Sequence, residues 1–471
     1  MIRRIPLLLL ALALAGCTSG PVHPRDLPTP APLVFMPEPI APVLLKNGAK
    51  LFVAEDASVP LVSVTLYLRT GVLDEPAAKA GLADMTGDAM LSGGAGDWSA
   101  EALEERMESL GASLGGGISQ DMGTLSLRCR SRDLDQGLSI LAAVLLSPRF
   151  EEERVSLLRE QKLEGIHRRK DDPSRLASEV FQKLLYGQDS PWARQETEAS
   201  VQSLTRDDLL AFHRDRVLPR LWSVAVSGDV RRETLTAKLE TAFGGLARSA
   251  EFPAAPPVPG LQPRRTVLVA KPLNQATVLL GHAGLPNLVD GKPNPDRYAM
   301  QVLNYVLGAG GFTSRLFQEV RTTRGLAYSV WSGFPMENAR GSIQMGCQTR
   351  TEKAAEALAC MREVLSGLVA GGPSSQELAL AKESMVNAFV FKVSTPAARV
   401  ANAAAYDYAG FPTDYLSRYV ERIRAVTPED VARVARTHCH PARMSVAVCG
   451  DRAALEPVLA SGGAKVEVQE P

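Results

Sequence analysis

The spacing of apolar and polar positions along the chain predicts both strands and helices. Lys50–Ala54 and Leu61–Arg69 have the alternating or continuously apolar pattern of strands, joined by a polar turn at residues 55–58. Apolar residues three and four apart predict helices at Ala80–Leu91, Ala100–Leu110, Leu134–Leu146, Glu151–Arg169 and Arg175–Tyr186, and Thr124–Arg130 has the pattern of a strand. The strands come in hairpin-like pairs rather than in strict alternation with helices. This order predicts an α+β fold with largely antiparallel sheets.

One helix–strand unit occurs twice in the sequence, at an offset of 222 residues. Leu204–Val230 aligns without a gap with Val426–Arg452, and each copy has a predicted Thr N-cap, an acidic first turn, a Pro after the helix and a strand. A Pro-rich stretch, residues 252–263, separates two halves of similar length. A repeat this long predicts two homologous tandem domains rather than a solenoid. The predicted boundaries are a first domain at 43–247, a linker at 248–264 and a second domain at 265–471.

The first residues have the pattern of a secretory signal. Arg3 and Arg4 precede an apolar run that ends at Ala15, too short to span a bilayer of roughly 30 Å. Leu14-Ala15-Gly16-Cys17 resembles the lipobox of bacterial lipoproteins, in which the Cys is acylated after the preceding residues are removed. We therefore expect a signal peptide at residues 1–16 and a lipid-anchored, Pro-rich tether at residues 17–42. An ordinary signal peptide with a chance Cys is the alternative.

This N-terminus predicts a location in the bacterial cell envelope, where the lipid on Cys17 binds the membrane. The next residue is Thr18, not the Asp that retains lipoproteins at the inner membrane in enteric bacteria. The periplasmic face of the outer membrane is therefore favoured.

Charge balance and cysteine spacing argue against nucleic-acid binding and against sites built from cysteines. The 471 residues include 52 Lys and Arg and 52 Asp and Glu, so the formal charge is zero and nucleic acid is not expected to bind. Apart from Cys17, the cysteines are widely spaced and form no C-x-x-C pair, which argues against a disulfide framework or a zinc knuckle. We expect most of them to be small buried hydrophobic residues.

Several short motifs occur in an order typical of one peptidase family. They are Asn47–Leu51, Val59–Ser63, Gly71–Glu75, Gly81–Ala83, Gly311–Arg321 and Arg324–Ser329. Together they resemble the insulinase/pitrilysin-type peptidases, which include the mitochondrial processing peptidase and its bacterial relatives. The resemblance covers about residues 43–455. It implies tandem homologous α+β domains, pairs of which form a clamshell around a peptide.

Active members of that family carry an inverted zinc motif, H-x-x-E-H, after the Gly-Leu-Ala segment. Two His one turn apart hold the zinc, the Glu is the general base, and a Glu from a later helix is the third ligand. The resemblance places Asp84, Gly87 and Asp88 at the motif positions and Gly165 at the third-ligand position. Gly87 has no side chain to deprotonate water. We therefore expect this chain to bind no zinc and to have no peptidase activity alone.

The sequence leaves two weaker cation sites open, one of them with a candidate third ligand. Asp84 and Asp88 lie one turn apart, and carboxylates suit a hard cation such as Ca²⁺ or Mg²⁺ better than zinc. A shift of one residue brings Glu164 to the third-ligand position, although neighbours on a helix point about 100° apart. A metal at His438 and His440 is the alternative to a polar loop at the end of a helix.

The resemblance also covers the other part of the family's active site. In active members an Arg and a Tyr on the second domain face the zinc, hydrogen-bond the substrate backbone and stabilise the oxyanion of the tetrahedral intermediate. Arg324 and Tyr328, four residues apart, are matched to those positions. A fixed cation beside a phenolic donor suits a developing oxyanion. The alternative is a surface ion pair for Arg324 and a core position for Tyr328.

Some bacterial relatives divide these two parts between two subunits, and this chain resembles the subunit without the zinc motif. The resemblance predicts a non-catalytic subunit that binds a peptide or unfolded polypeptide through Arg324 and Tyr328. Cleavage then requires a homologous H-x-x-E-H partner, which supplies the zinc. The alternative is a scaffold or peptide-binding protein of the cell envelope that does not cleave.

Overall fold

A computed structural model describes residues 36–246, 255–461 and 465–471. The predicted signal peptide, Cys17, most of the predicted tether and part of the predicted linker lie outside these residues. The described residues form one packed unit. No helix in the described ranges has both the length and the apolar character needed to cross a membrane.

The first half is built on a six-stranded sheet. Its strands are β1 (Val43–Leu44), β2 (Lys50–Glu55), β3 (Leu61–Leu68), β4 (Ser113–Ile118), β5 (Gly123–Arg130) and β6 (Leu221–Gly228), in the order β1-β2-β6-β3-β5-β4. Strands β2 and β6 are parallel, and the other neighbours are antiparallel. Strand β4 therefore lies at one edge of the sheet.

The helices of the first half follow the apolar pattern of the sequence. They are α1 (Leu82–Ser92), α2 (Ala100–Leu110), α3 (Leu134–Leu146), α4 (Glu152–Arg169), α5 (Pro173–Tyr186), α6 (Glu198–Gln202), α7 (Arg206–Phe212) and α8 (Arg232–Phe243). Helix α7 continues into a π-helical turn at His213–Val217. The sheet residues Leu66 and Leu127 share a fully buried core with Leu141 of α3 and with Phe150. Burial of these side chains holds the helices on the sheet.

The second half repeats this sheet almost strand for strand. Its strands are β7 (Thr266–Ala270), β8 (Gln275–Ala283), β9 (Leu288–Val289), β10 (Lys292–Pro293), β11 (Ala327–Gly333), β12 (Ser342–Arg350), β13 (Ser445–Gly450) and β14 (Val466–Gln469). The order β14-β7-β13-β8-β12-β11 matches the first sheet, and β9 and β10 form a separate hairpin. Strand β13 is parallel to β7, as β6 is to β2. Strand β11 therefore occupies the edge position that β4 has in the first sheet.

The helices of the second half are α9 (Arg297–Asn304), α10 (Ala354–Gly371), α11 (Ser375–Lys392), α12 (Pro396–Tyr408), α13 (Tyr415–Ala425), α14 (Pro428–His438) and α15 (Arg452–Ala460). Two π-helical segments, Tyr305–Ala309 and Phe317–Thr323, precede β11. A π-helical turn carries one extra residue in each hydrogen-bonded ring, and it changes which side chains share a face.

The two halves exchange one helix each. Helix α5 of the first half packs on β8 and β13 of the second sheet, where Phe181 and Val267 belong to one buried cluster. Helix α12 of the second half packs on β2 and β6 of the first sheet, where Ala404 and Phe52 belong to another buried cluster. Each sheet is therefore covered partly by a helix from the other half.

The predicted α+β fold with two homologous halves is confirmed. Thr205 and Thr427 cap α7 and α14 in the same way, since each hydroxyl accepts a hydrogen bond from the backbone amide three residues later. The strands of the two sheets fall inside the predicted domain boundaries, 43–247 and 265–471.

Candidate functional site

Helix α1 carries the residues that the sequence matches to the zinc motif, and a buried carboxylate fixes its beginning. Gly81 precedes the helix with a φ of 96°, a conformation that favours glycine. The Glu75 side chain accepts hydrogen bonds from the backbone amides of Gly81 and Ala83 at 3.1 and 2.9 Å. Burial raises the pKa of Glu75, while these two amides oppose the rise. This anchor sets the position of the face that bears Asp84 and Asp88.

A lysine from α4 bridges the two carboxylates of that face. Lys162 Nζ contacts Asp84 Oδ2 directly and lies 3.3 Å from Asp88 Oδ2. The lysine side chain is only 11% exposed. Burial lowers the pKa of Lys162, but the charges of Asp84 and Asp88 outweigh it and raise the pKa overall. The ammonium is therefore charged at neutral pH and acts as the cation of this site.

This arrangement does not suit the metals that the sequence leaves open. Burial raises the pKa of Asp88, Lys162 opposes that rise, and the like charge of Asp84 adds to it. A divalent ion here must displace an ammonium that already neutralises one of the two carboxylates. The carboxylates also lack the imidazole nitrogens that zinc prefers. The residues at these positions therefore do not fit a zinc ion.

The two glycines of the degenerate motif have different surroundings. A Cβ on Gly87 would lie 2.9 Å from Ile118 N and 3.2 Å from the Gly117 carbonyl carbon, because α1 packs directly on the backbone of β4. A Cβ on Gly165 would meet no atom within 4 Å. The adjacent Glu164 is exposed and accepts a hydrogen bond from Arg168 at 2.7 Å. We call Lys162, Asp84 and Asp88 the Lys162 cluster. Glu164 does not contact it, so the one-residue shift that the sequence leaves open does not supply a third ligand.

In the second half, the His438 side chain and the His440 backbone amide are bonded to protein groups. His438 Nε2 lies 2.7 Å from Asp296 Oδ2, at the end of α14. The backbone amide of His440 donates to His282 Nε2 at 3.0 Å, and burial lowers the pKa of His282. Within residues 36–246, 255–461 and 465–471, no group of three or more His, Cys, Asp and Glu side chains is placed to hold a metal. His438 and His440 are therefore explained as the polar end of a helix.

The cysteines of the described residues are buried free thiols, as the sequence predicts. They are Cys129, Cys347, Cys360, Cys439 and Cys449. Burial raises the pKa of each of them, to about 12 for Cys347 and Cys439. None of them is a thiolate at neutral pH, so these thiols supply no nucleophile.

Arg324 and Tyr328 contact different residues. Tyr328 lies on the edge strand β11 and is 81% exposed, so it is not a core residue. Arg324 ends the π-helical segment, and its Nη2 donates to Glu363 Oε2 at 2.9 Å while its Nε lies 3.9 Å from Glu319 Oε2. The hydrogen bond to Glu363 raises the pKa of Arg324. Its positive charge is therefore already balanced by carboxylates.

Arg321, which the sequence comparison did not single out, lies against Tyr328 instead. Its guanidinium carbon is 4.3 Å from the centroid of the Tyr328 ring and 4.7 Å from that of Phe317. Phe312, 71% exposed, packs edge-to-face on Phe317 at 4.6 Å. No carboxylate of the described residues forms an ion pair with Arg321. We call Phe312, Phe317, Arg321 and Tyr328 the aromatic–arginine cluster.

The two sites differ in what they can do chemically. In the first half, Lys162 contacts both Asp84 and Asp88, and Gly87 offers no side chain at the general-base position, so these residues do not fit the zinc chemistry of the family. The aromatic–arginine cluster presents a cation without a carboxylate partner, a phenol and two aromatic rings on the surface. Exposed aromatic groups beside an arginine are typical of binding surfaces, and a cation with a phenolic donor can stabilise an oxyanion.

Comparisons with known proteins match both halves of the chain. The family model described as insulinase (peptidase family M16) matches residues 51–188, which contain the Lys162 cluster. The model described as the peptidase M16 inactive domain matches residues 203–385, which contain the aromatic–arginine cluster. Together the two models cover most of both sheets.

Full-length relatives and a solved structure agree with these matches. An uncharacterized zinc protease of Mycobacterium leprae is 30% identical over 349 residues, 72% of this chain and 76% of that protein. One from Mycobacterium tuberculosis is 29% identical over 413 residues, 86% and 92% of the two chains. The crystal structure of a peptidase M16 inactive domain from Pseudomonas fluorescens superposes with a TM-score of 0.79 at 27% identity, covering 88% of this chain and 98% of that one. The chain therefore belongs to the insulinase family, peptidase family M16.

Proposed function

We propose that this protein is the non-catalytic, substrate-binding subunit of a heteromeric zinc peptidase. A separate H-x-x-E-H chain supplies the zinc, the attacking water and the general base. This chain binds an unfolded polypeptide and presents its scissile bond to that partner. The match to an inactive-domain model supports this division of labour.

The observation that carries the proposal is the Lys162 bridge. In a zinc site of this type a divalent metal lies between ligands one helical turn apart. Here a protein ammonium contacts both Asp84 and Asp88, and Gly87 leaves no group to activate water. Lys162 therefore neutralises one of the two carboxylates at this site, which suits a subunit that does not perform the chemistry.

The aromatic–arginine cluster supplies the complementary function. The Arg321 guanidinium is held by stacking on Tyr328 and Phe317 rather than by a carboxylate, so its N–H groups are available to a substrate carbonyl. The Tyr328 hydroxyl adds a second donor on an exposed edge strand. We assign the stabilisation of the oxyanion to Arg321. Arg324, which forms an ion pair with Glu363, has a structural role.

Reconstitution tests this proposal. The mature chain is mixed with an H-x-x-E-H homologue from the same organism, and cleavage of a quenched fluorescent peptide is followed. We expect no cleavage by either chain alone and zinc-dependent cleavage by the mixture. Cleavage by this chain alone would contradict the proposal. A mixture that neither binds nor cleaves peptide would favour the scaffold alternative.

We further propose that acylated Cys17 anchors the protein to the membrane of the cell envelope. The lipobox-like Leu14-Ala15-Gly16-Cys17 supports this assignment. In cells fed an alkyne fatty acid, we expect the wild-type chain to become labelled and to fractionate with outer membranes. Cys17→Ser should remain unlabelled. An equally labelled Cys17→Ser variant would show that the lipid is attached elsewhere.

A further inference from the structure

A groove of about 410 Å³ lies where the two halves meet, between α5 of the first half and the second sheet. Ser178 and Gln182 of α5 form one wall, and Gln344 of β12 and Trp331 of β11 belong to the other. Phe181 of α5 also lines the groove. Its volume is in the range of roughly 300–1,000 Å³ found for ligand-binding pockets.

The polar groups of the groove are largely unpaired. Gln348 Nε2 donates to Ser174 Oγ at 3.1 Å and ties the two walls together. Among the described residues, the side chains of Gln182 and Gln344 and the indole N–H of Trp331 have no hydrogen-bond partner. These groups supply donors and acceptors that a ligand can satisfy.

The groove carries no charge. Its lining consists of hydroxyl, carboxamide, aromatic and aliphatic groups together with Cys347, and burial raises the pKa of that thiol to about 12. A charged side chain placed here would lose its hydration without gaining a counter-charge. The groove therefore selects against charge.

The groove and the aromatic–arginine cluster share strand β11. Ser329 and Trp331 line it, and both follow Tyr328 on the edge strand β11. Trp331 is 37% exposed, and its indole lies over Gly346 of β12, where a Cβ would approach the ring to 2.8 Å. A chain that contacts Tyr328 can thus continue along β11 into the groove.

We propose that this groove binds an uncharged stretch of the polypeptide substrate. The inference rests on the proposed function, and it adds the substrate class that the site accepts. The carboxamides of Gln182 and Gln344 each offer a donor and an acceptor, as a peptide unit does, so they bind backbone irrespective of sequence. An apolar or aromatic substrate side chain packs on Trp331. Selectivity comes from the cost of burying a charge.

A charge scan of a peptide tests this inference with the full mature chain. The reference is a fluorescein-labelled peptide of Ala, Ser and Gln with one Phe, and each position is changed in turn to Lys or Glu. We expect the anisotropy-derived affinity to fall at least tenfold at two or three adjacent positions for either charge, and to change little elsewhere. The tryptophan emission should shift to shorter wavelength on binding, and Trp331→Phe should remove the shift while peptide still binds.

A charged side chain introduced into the groove should make it prefer peptides of the opposite charge. Gln344→Glu is expected to favour the Lys-containing peptide over the Glu-containing one by at least tenfold, and Gln344→Lys to do the opposite. Gln182→Glu tests the other wall. Gln202→Glu, an exposed change outside the groove, is the matched control and should leave the profile unchanged.

The outcomes separate this inference from the function on which it rests. If peptides bind and the reconstituted enzyme cleaves them, but the scan is flat and the Gln344 variants match wild type, only the groove assignment is wrong. If no peptide binds and no mixture cleaves, both are overturned.

Discussion

The two halves of the molecule share one sheet order, but their candidate sites differ in whether a cation is paired with carboxylates. In the first half, Lys162 is largely buried against Asp84 and Asp88 and neutralises one of these two carboxylates. In the second half, Arg321 stacks on Tyr328 at an exposed edge and has no carboxylate among the described residues. A duplicated fold thus supports one site that is closed to a ligand and one that is open to it. Side-chain identity at a few positions, and not the architecture, makes the difference.

The largest effect is expected from Arg321 in the reconstituted enzyme. Arg321→Ala should lower kcat/KM by about 100-fold or more, because losing one preorganised oxyanion donor typically costs that much. Arg324→Ala should cost less than about tenfold, because its guanidinium is already paired with Glu363. Initial rates on the quenched peptide measure both.

Arg350, an exposed arginine that pairs with Glu352, supplies the control, and Arg350→Ala should leave the rate unchanged. If Arg324→Ala lost more activity than Arg321→Ala, the oxyanion role would return to Arg324, as the sequence resemblance places it.

The two motif glycines should respond to alanine with opposite signs. Gly87→Ala should lower the free energy of unfolding by about 1–3 kcal/mol, because the new methyl group meets the backbone of β4. Gly165→Ala should raise it by about 0.5–1 kcal/mol, because α4 has open space there and alanine is the better helix former. Urea denaturation measures both changes. Equal effects would mean that α1 does not pack on β4 as described.

Removal of the lysine bridge should destabilise the first half. Lys162→Met should lower the free energy of unfolding at pH 7 by about 1–2 kcal/mol, a modest loss because water reaches both carboxylates. Lys162→Arg keeps the charge and should lose less. A methionine variant as stable as wild type would show that the bridge contributes nothing.

The pH dependence gives the sign of that contribution. The pKa of Lys162 is raised in the folded protein, so its stabilisation is complete below about 10.5 and is lost as the pH rises through the folded value. The pKa of Asp88 is also raised, so this group favours folding below pH 3.8 and loses that contribution as the pH rises through its folded pKa. The deficit of Lys162→Met should shrink in acid, because protonation of Asp88 removes a negative charge that the ammonium faces. A constant deficit from pH 3 to pH 8 would contradict an electrostatic origin.

The smallest effect, none, is expected from metal removal. EDTA or 1,10-phenanthroline should leave the Tm of this chain unchanged, because the Lys162 ammonium lies against Asp84 and Asp88, where a metal ion would have to displace it. The same treatment should abolish cleavage by the reconstituted enzyme. A fall in the Tm of the isolated chain would reveal a structural metal.

The sequence predicts most elements of the first half because their apolar spacing is regular. The helix at Leu134–Leu146 has the predicted bounds, and α4 differs by one residue. Strand β4 is missed because its Ser-Leu-Gly-Gly-Gly-Ile sequence has few side chains to show a period of two. The pattern also predicts α5, as Arg175–Tyr186, yet spacing cannot show that α5 and α12 each pack on the sheet of the other half.

The candidate sites are less predictable than the elements. The sequence identifies the loss of the zinc motif, but not Lys162 as the replacement, because that requires the relative orientation of α1 and α4. The contact between Arg321 and Tyr328 is not apparent in the sequence, because Arg321 lies in a π-helical segment and Tyr328 lies on the strand that follows.

The exchange of α5 and α12 makes each half incomplete as a folding unit. A fragment that ends after residue 247 would lack α12, which covers Phe52 and Ala225. A fragment that begins at residue 265 would lack α5, which covers Val267. Isolated halves should therefore aggregate when expressed, while coexpressed halves should associate into a soluble pair. The covalent link between the halves therefore keeps each apolar sheet face supplied with its covering helix.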